Sequence, residues 1–144
     1  MAIARIEVDF NPFPDDWRLG HRFLQGGFTF EHQGAITEEL VVNETLNERG
    51  LVIPSDDGLL ITLPVLTHAF GFRLGTFAGA VLFEYFNDSM EIIGSKTINW
   101  GNQFQDLGAS VNKNMKYFRF SGGGGEGLLR SLNVLLNCKT ALSE

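Results

Sequence analysis

The side chains of this sequence best placed for chemistry are aromatic, amide and charged groups set among large apolar residues. Asn99-Trp100-Gly101-Asn102-Gln103 puts an indole among amides. A flat aromatic face stacks on the C–H face of a sugar ring, and amide, carboxylate or guanidinium groups bond its hydroxyls. Trp100 and Asn102 are therefore candidate ligand-binding residues on a loop, against the alternative of a tryptophan folded over a sheet edge. Trp17, with Arg18 and His21, is a second loop candidate. Arg73, Glu84, Tyr117 and Arg119 each alternate with large apolar neighbours, so they should project from the outer faces of their strands. If those strands adjoin, the four side chains form one polar patch. The competing reading is a solvated face, or a surface ion pair contributing at most about 1 kcal/mol.

Acidic turns offer a different chemistry. Calcium takes six to eight oxygens, and Asp15, Asp16 and Glu126 are the candidate donors for a structural ion, with Asp56 and Asp57 behind them. No EF-hand spacing is present. The three histidines, His21, His32 and His68, lack the H-x-H and H-E-x-x-H spacings of transition-metal sites. No G-x-S-x-G elbow marks a nucleophile. Glu84 and Glu91 are the carboxylates that would have to share a cleft in a small glycan-active hydrolase or lyase. Cys138 reads as a small hydrophobe on a terminal strand.

Gly122, Gly124 and Gly127 match the dinucleotide spacing G-x-G-x-x-G. Only 17 residues follow Gly127, so no βαβ unit with its ribose-binding acid about 20 positions on can be completed. The glycines are better read as a loop that turns the chain into a last strand, where Leu132, Val134 and Leu136 alternate with Ser131, Asn133 and Asn137. Arg130 interrupts that alternation and predicts a bulge between Gly127 and Arg130.

These groups need a scaffold. The 144 residues suggest one domain, residues 1–144, able to bury a core without disulfide or metal. Phenylalanine occurs 13 times, which suits the space between two sheets. Alternating runs appear at Arg5–Phe10, Phe23–Glu31 (broken at Gly26-Gly27), Ile36–Asn43, Leu51–Ile53, Leu59–Leu63, Phe70–Leu74, Val81–Phe86, Glu91–Asn99 and Tyr117–Phe120, with turn signals between them. The stretch Glu44–Gly50 reads as polar, with room for one helical turn. About nine or ten short strands and no long amphipathic helix predict an all-β, antiparallel sandwich.

The net charge of -6, without a basic cluster, argues against nucleic acid as a partner. No apolar run is long enough for a membrane span. Met1–Arg5 shows no basic-then-apolar signal, so a cytoplasmic location is expected unless the chain was trimmed.

The runs Gly58–Pro64, Phe70–Gly75, Val81–Phe86, Ile92–Gly94, Tyr117–Gly122 and Leu132–Leu135 resemble the galactose-binding-like jelly-roll domains, a group that includes many carbohydrate-binding modules. The resemblance covers roughly residues 50–136 and rests on core and turn positions, so no binding residue of the group is carried over. It implies two packed antiparallel sheets, often with a structural calcium and with sugar held at loops or on a sheet face. The function expected is a non-catalytic binding module for carbohydrate. The alternative is a protein-interaction or assembly domain, as a homo-oligomer or a subunit of a larger particle.

Overall fold

The computed structural model describes residues 3–137, so Cys138 lies outside the described residues. Eleven strands run in chain order: β1 (Ile3–Asp9), β2 (Trp17–Gly20), β3 (Arg22–Gln25), β4 (Phe28–His32), β5 (Leu40–Thr45), β6 (Glu48–Val52), β7 (Leu59–Thr76), β8 (Val81–Phe86), β9 (Ile92–Ile98), β10 (Phe104–Gly122) and β11 (Gly127–Asn137). All the pairings are antiparallel. The described residues hold no α-helix, and hence none long and apolar enough to cross a membrane.

Two long strands make the sandwich. The first part of β7, Leu59–Thr62, pairs with β4 on one side and with Tyr117–Phe120 of β10 on the other. Its last part, Ala69–Thr76, pairs instead with β11 and with Phe104–Ser110 of β10. Each long strand therefore belongs to both layers. The first layer is β3-β4-β7-β10-β8-β9. The second is β2-β5-β6-β11-β7-β10, with β1 also paired to β11.

Alternation explains why the layers close on each other. Phe70 and Phe72 point inward from the second layer, and Phe83, Phe118 and Phe120 point inward from the first. Their rings meet at centroid distances of 4.9–5.2 Å. Phe10, Phe28 and Phe30 extend the same core and are fully buried. A buried phenylalanine contributes roughly 1.5–3 kcal/mol through removal of its surface from water.

Several local expectations change. Leu59–Leu63 and Phe70–Leu74 are two ends of one strand running through Pro64, which lies beyond the last β4 and β10 partners of the first half, so its missing N–H breaks no pairing there. Phe104–Ser110, absent from the sequence reading, is the first half of β10. Glu44–Gly50 holds no helical turn: Leu46 and Asn47 both adopt positive φ, 52° and 64°, and make the two-residue hairpin turn between β5 and β6. The interruption at Gly26-Gly27 is likewise the turn of the β3–β4 hairpin.

The glycine run behaves as a feeding loop. Gly122, Gly123, Gly124 and Gly125 have φ of 83°, 83°, 64° and 81°, a left-handed path that residues with a Cβ resist. The N–H groups of Gly122 and Gly123 donate to the carbonyls of Ser55 and Ala80 at 2.8 and 2.9 Å, and that of Glu126 to Gly123 at 3.2 Å. Amides committed to backbone carbonyls do not cradle a phosphate, and the segment that follows is a strand. The expected bulge is there, as a register shift between Leu129 and Ser131.

Candidate functional site

The six candidate ligand residues do not share one face of the protein. Glu84, Tyr117 and Arg119 share the outer face of the first layer. One row of paired positions crosses six strands there: Arg22, Glu31, Leu60, Arg119, Glu84 and Ser95. Arg119 is the centre of this face. Its Nη1 donates to Glu84 Oε1 and to Ser121 Oγ, both at 3.2 Å, its Nε to Gln33 Oε1 at 2.6 Å, and its Nη2 to the Asp57 carbonyl at 2.9 Å. These bonds tie the loops after β4 and β6 onto the sheet. Tyr117 stands one row away, half-buried, between Thr62 and Phe86.

Arg73 lies on the outer face of the second layer, so the single patch of four does not form. Its Nε and Nη2 meet the two oxygens of Glu48 at 2.7 and 2.8 Å, and its Nη1 meets Asp106 at 3.0 Å. Arg130 Nη1 reaches the same Glu48 at 2.6 Å. The Arg73 hydrogen bonds, backed by Arg130, outweigh partial burial and hold the Glu48 carboxyl at about 2, well below its ordinary 4.5. The Arg73 guanidinium also sits 5.4 Å from the centre of the Phe104 ring. Phe104 meets the Phe77 ring edge-on at 5.2 Å, and both rings close over Gly75, where a Cβ would collide with Phe77.

Phe77 leads into a cleft of about 620 Å³ at the end of the second layer. Phe77 and Leu128 give it an apolar lining, while Asp15, Asp16, Asn102 and Glu126 bring carboxylates and an amide from three further loops. Asn43, Glu44 and Thr45 of β5 line it as well. Arg49 Nε holds the Glu44 carboxylate at 2.8 Å. The acidic lining disfavours anionic ligands. Phe77 was missed in the sequence because Thr76-Phe77-Ala78-Gly79 carries no alternation, and the signal available was a large aromatic in a glycine-containing turn.

The three calcium candidates, Asp15, Asp16 and Glu126, thus share one cleft. Among the described residues, however, no three acidic, histidine or cysteine side chains are grouped to hold a metal ion. Their fit to calcium is poor as they stand. Glu84 and Glu91 do not share a cleft either: Glu84 is bonded to Arg119, and Glu91 lines a separate depression.

Trp100 is 63% exposed and stands in the same loop as Asn102, so the indole is not folded into the sheet edge. A buried hydroxyl organises that loop. Thr76 Oγ1 donates to the Asn99 carbonyl at 3.1 Å and accepts from Gly101 N–H at 2.9 Å and Gln105 Nε2 at 3.3 Å. Asn102 N–H donates to the Thr76 carbonyl at 2.9 Å. Thr76 therefore fixes the Trp100–Asn102 loop beside its own neighbour, Phe77. Trp17 is 49% exposed on the edge strand β2.

No protein-family model and no curated protein matches this sequence. Solved structures do match. A family 29 carbohydrate binding module aligns over 94% of this chain and 90% of its own, with a TM-score of 0.57 and 10% identity. A family 29 mutant complexed with mannohexaose aligns over 94% and 93%, with a TM-score of 0.54 and 11% identity. Another, complexed with cellulohexaose, aligns over 93% and 90%, with a TM-score of 0.54 and 11% identity. Such low identity speaks to architecture, and the architecture is the galactose-binding-like jelly roll.

Proposed function

We propose that this chain is a non-catalytic carbohydrate-binding module that holds a saccharide in the Phe77 cleft. The observation that carries the reading is the composition of that cleft: an aromatic ring braced by Phe104 and Arg73, with amide and carboxylate groups brought to it by separate loops. A sugar needs an apolar surface for its C–H face and bidentate acceptors for its hydroxyls. The likeness to solved carbohydrate binding modules supports the reading. The carboxylates favour neutral saccharides over uronates.

Titration with mannohexaose and cellulohexaose, followed by calorimetry and Trp fluorescence, tests the proposal. Phe77→Ala is expected to weaken binding at least tenfold, and Tyr117→Ala to leave it unchanged. Loss in the Tyr117 variant alone would move the site to the first layer.

A second reading has its own observation. Leu24, Thr29, Thr62, Tyr117, Phe86 and Ile92 form one paired row across the first layer, with Leu24 and Ile92 68% and 56% exposed. That row favours a protein partner or a second copy, and a concentration-dependent mass in sedimentation would support it.

A further inference from the structure

We infer that the chain carries a second saccharide site, between the β8–β9 turn and the middle of β10, which makes it bivalent. The inference rests on the glycan-binding reading of the Phe77 cleft. A separate cleft of about 520 Å³ opens there. It is built by a large bulge. β10 pairs with β7 up to Ser110 opposite Ala69 and resumes at Met115 opposite Thr67. Four residues, 111–114, therefore stand against His68 alone. The bulge carries Asn112, Lys113 and Asn114 into the lining of the cleft, with the Val111 carbonyl 3.3 Å from His68 Nδ1 at its base. Bulges re-aim side chains in this way beside binding sites.

The opposite wall is fixed with equal care. Asn87 Oδ1 accepts from the N–H groups of Ser89 and Glu91 at 3.0 and 2.9 Å. Its Nδ2 donates to Glu91 Oε1 at 3.1 Å, which orients that carboxylate. Met90 takes φ of 61° to allow the turn, a strained conformation of the kind found at functional sites. Leu66, Ile92 and Ile93 supply an apolar wall.

The charges choose the ligand. An anion would meet Asp88 and Glu91. A metal cation would meet Lys113, and no metal-holding trio exists among the described residues. A neutral, hydroxyl-rich molecule suits all these groups: the carboxylate and amide oxygens accept from hydroxyls, and Lys113 and the amide N–H groups donate to them. With the small imidazole of His68 as its one flat ring, this cleft fits a terminal sugar better than a stacked chain. Phe77 lies nine residues beyond His68 on the same strand path, roughly 30 Å away at about 3.3 Å per residue. Two sites so separated would raise retention on a polysaccharide surface by avidity, about 10²–10⁴-fold over one site when both engage.

Calorimetry of the intact chain with mannohexaose and cellulohexaose, paired with retention on insoluble cellulose and mannan, tests this. Wild type should bind with two sites per chain, and Phe77→Ala and Asn112→Ala/Lys113→Ala with one each. Either variant should lose at least tenfold in retention. Asn112 and Lys113 are exposed, so their replacement leaves the core untouched, and circular dichroism checks that. One site in wild type, lost in Phe77→Ala and unchanged in the Asn112/Lys113 variant in both assays, overturns the second site and leaves the Phe77 cleft standing. One site lost in the Asn112/Lys113 variant but kept in Phe77→Ala supports this site and overturns the Phe77 cleft.

Discussion

Arg73 and Arg119 sit on opposite faces of one sandwich and solve the same problem differently. Both are about three-quarters buried, with side-chain exposures of 27% and 26%. Arg73 concentrates its bonds on charge: two go to Glu48, which also receives Arg130, and a third to Asp106. Arg119 distributes its bonds over an amide, a hydroxyl, a backbone carbonyl and one carboxylate. The first arrangement locks charges within one sheet face and props Phe104, and through it Phe77. The second fastens loops far away in sequence. A clamp of charges shifts titration, whereas a hub of neutral acceptors shapes loops.

The sharpest way to break this contrast is at Gly58. Its φ is 91°, and a Cβ there would lie 2.6 Å from Arg119 Nη2. Gly58→Ala therefore combines left-handed backbone strain with displacement of the guanidinium from its four partners. The expected loss is about 3 kcal/mol, read from urea unfolding, and the acid limb of the stability profile should keep its shape. An equal effect on that limb would mean the two arginines are not separate devices.

Glu48→Gln acts on the other face. The folded carboxyl titrates at about 2, below its ordinary 4.5. A depressed value means that the ionised form is favoured by folding, so the contribution is fully present above pH 4.5 and disappears as pH falls toward 2. Replacement by glutamine should cost about 2 kcal/mol at neutral pH and flatten the stability profile between those limits. Thermal unfolding from pH 7 to pH 2 measures both.

The comparison also explains what was legible in the sequence. Alternation identified the inward phenylalanines and the outward Glu84, Tyr117, Arg119 and Arg73, because period two is a local property. It could not say which sheet face each would join. Strands β7 and β10 each serve both layers, so Arg73 and Arg119 fall on strands that do pair with each other yet end on opposite faces. The bulge at 111–114 and the passage through Pro64 hide that switch, since neither has a period. The glycine run was readable because four adjacent glycines allow few geometries. The Phe77 cleft was not, because its lining comes from separate loops and from β5, and nothing local links Asp15, Asn43, Phe77, Asn102 and Glu126. The residues that carried a ligand signal, Trp100 and Asn102, did so through composition alone.

Thr76 sharpens the comparison from within the second layer. Thr76→Val keeps the shape but removes the hydroxyl that gathers Asn99, Gly101 and Gln105. The Gly101 N–H then loses its acceptor, while the Asn99 carbonyl keeps Gln105 Nε2 at 3.3 Å and Asn102 N–H keeps the Thr76 carbonyl. This should cost about 1–2 kcal/mol and weaken saccharide binding, because Trp100 lies between the two residues that the hydroxyl held. Thr76→Ser should restore both. Wild-type binding in a destabilised Thr76→Val would show that the hydroxyl's hold on the loop contributes nothing to the cleft.

Trp100→Ala should have the smallest effect on stability, below about 0.5 kcal/mol, since a residue this exposed has little packing to lose. Its value lies in what it separates. Trp17 and Trp100 are the two tryptophans of the chain, both exposed, on the edge strand β2 and on the Thr76-anchored loop respectively. If saccharide quenches or shifts wild-type fluorescence and the Trp100 variant no longer responds, the ligand reaches the loop that Thr76 positions, and the aromatic surface extends from Phe77 past Asn102. A response that survives in Trp100→Ala and vanishes in Trp17→Ala would place the ligand toward Asp15 and Asp16 instead, on the side of the cleft next to β2. Unfolding midpoints should agree with wild type in both variants, so any change in binding reports contact and not loss of fold.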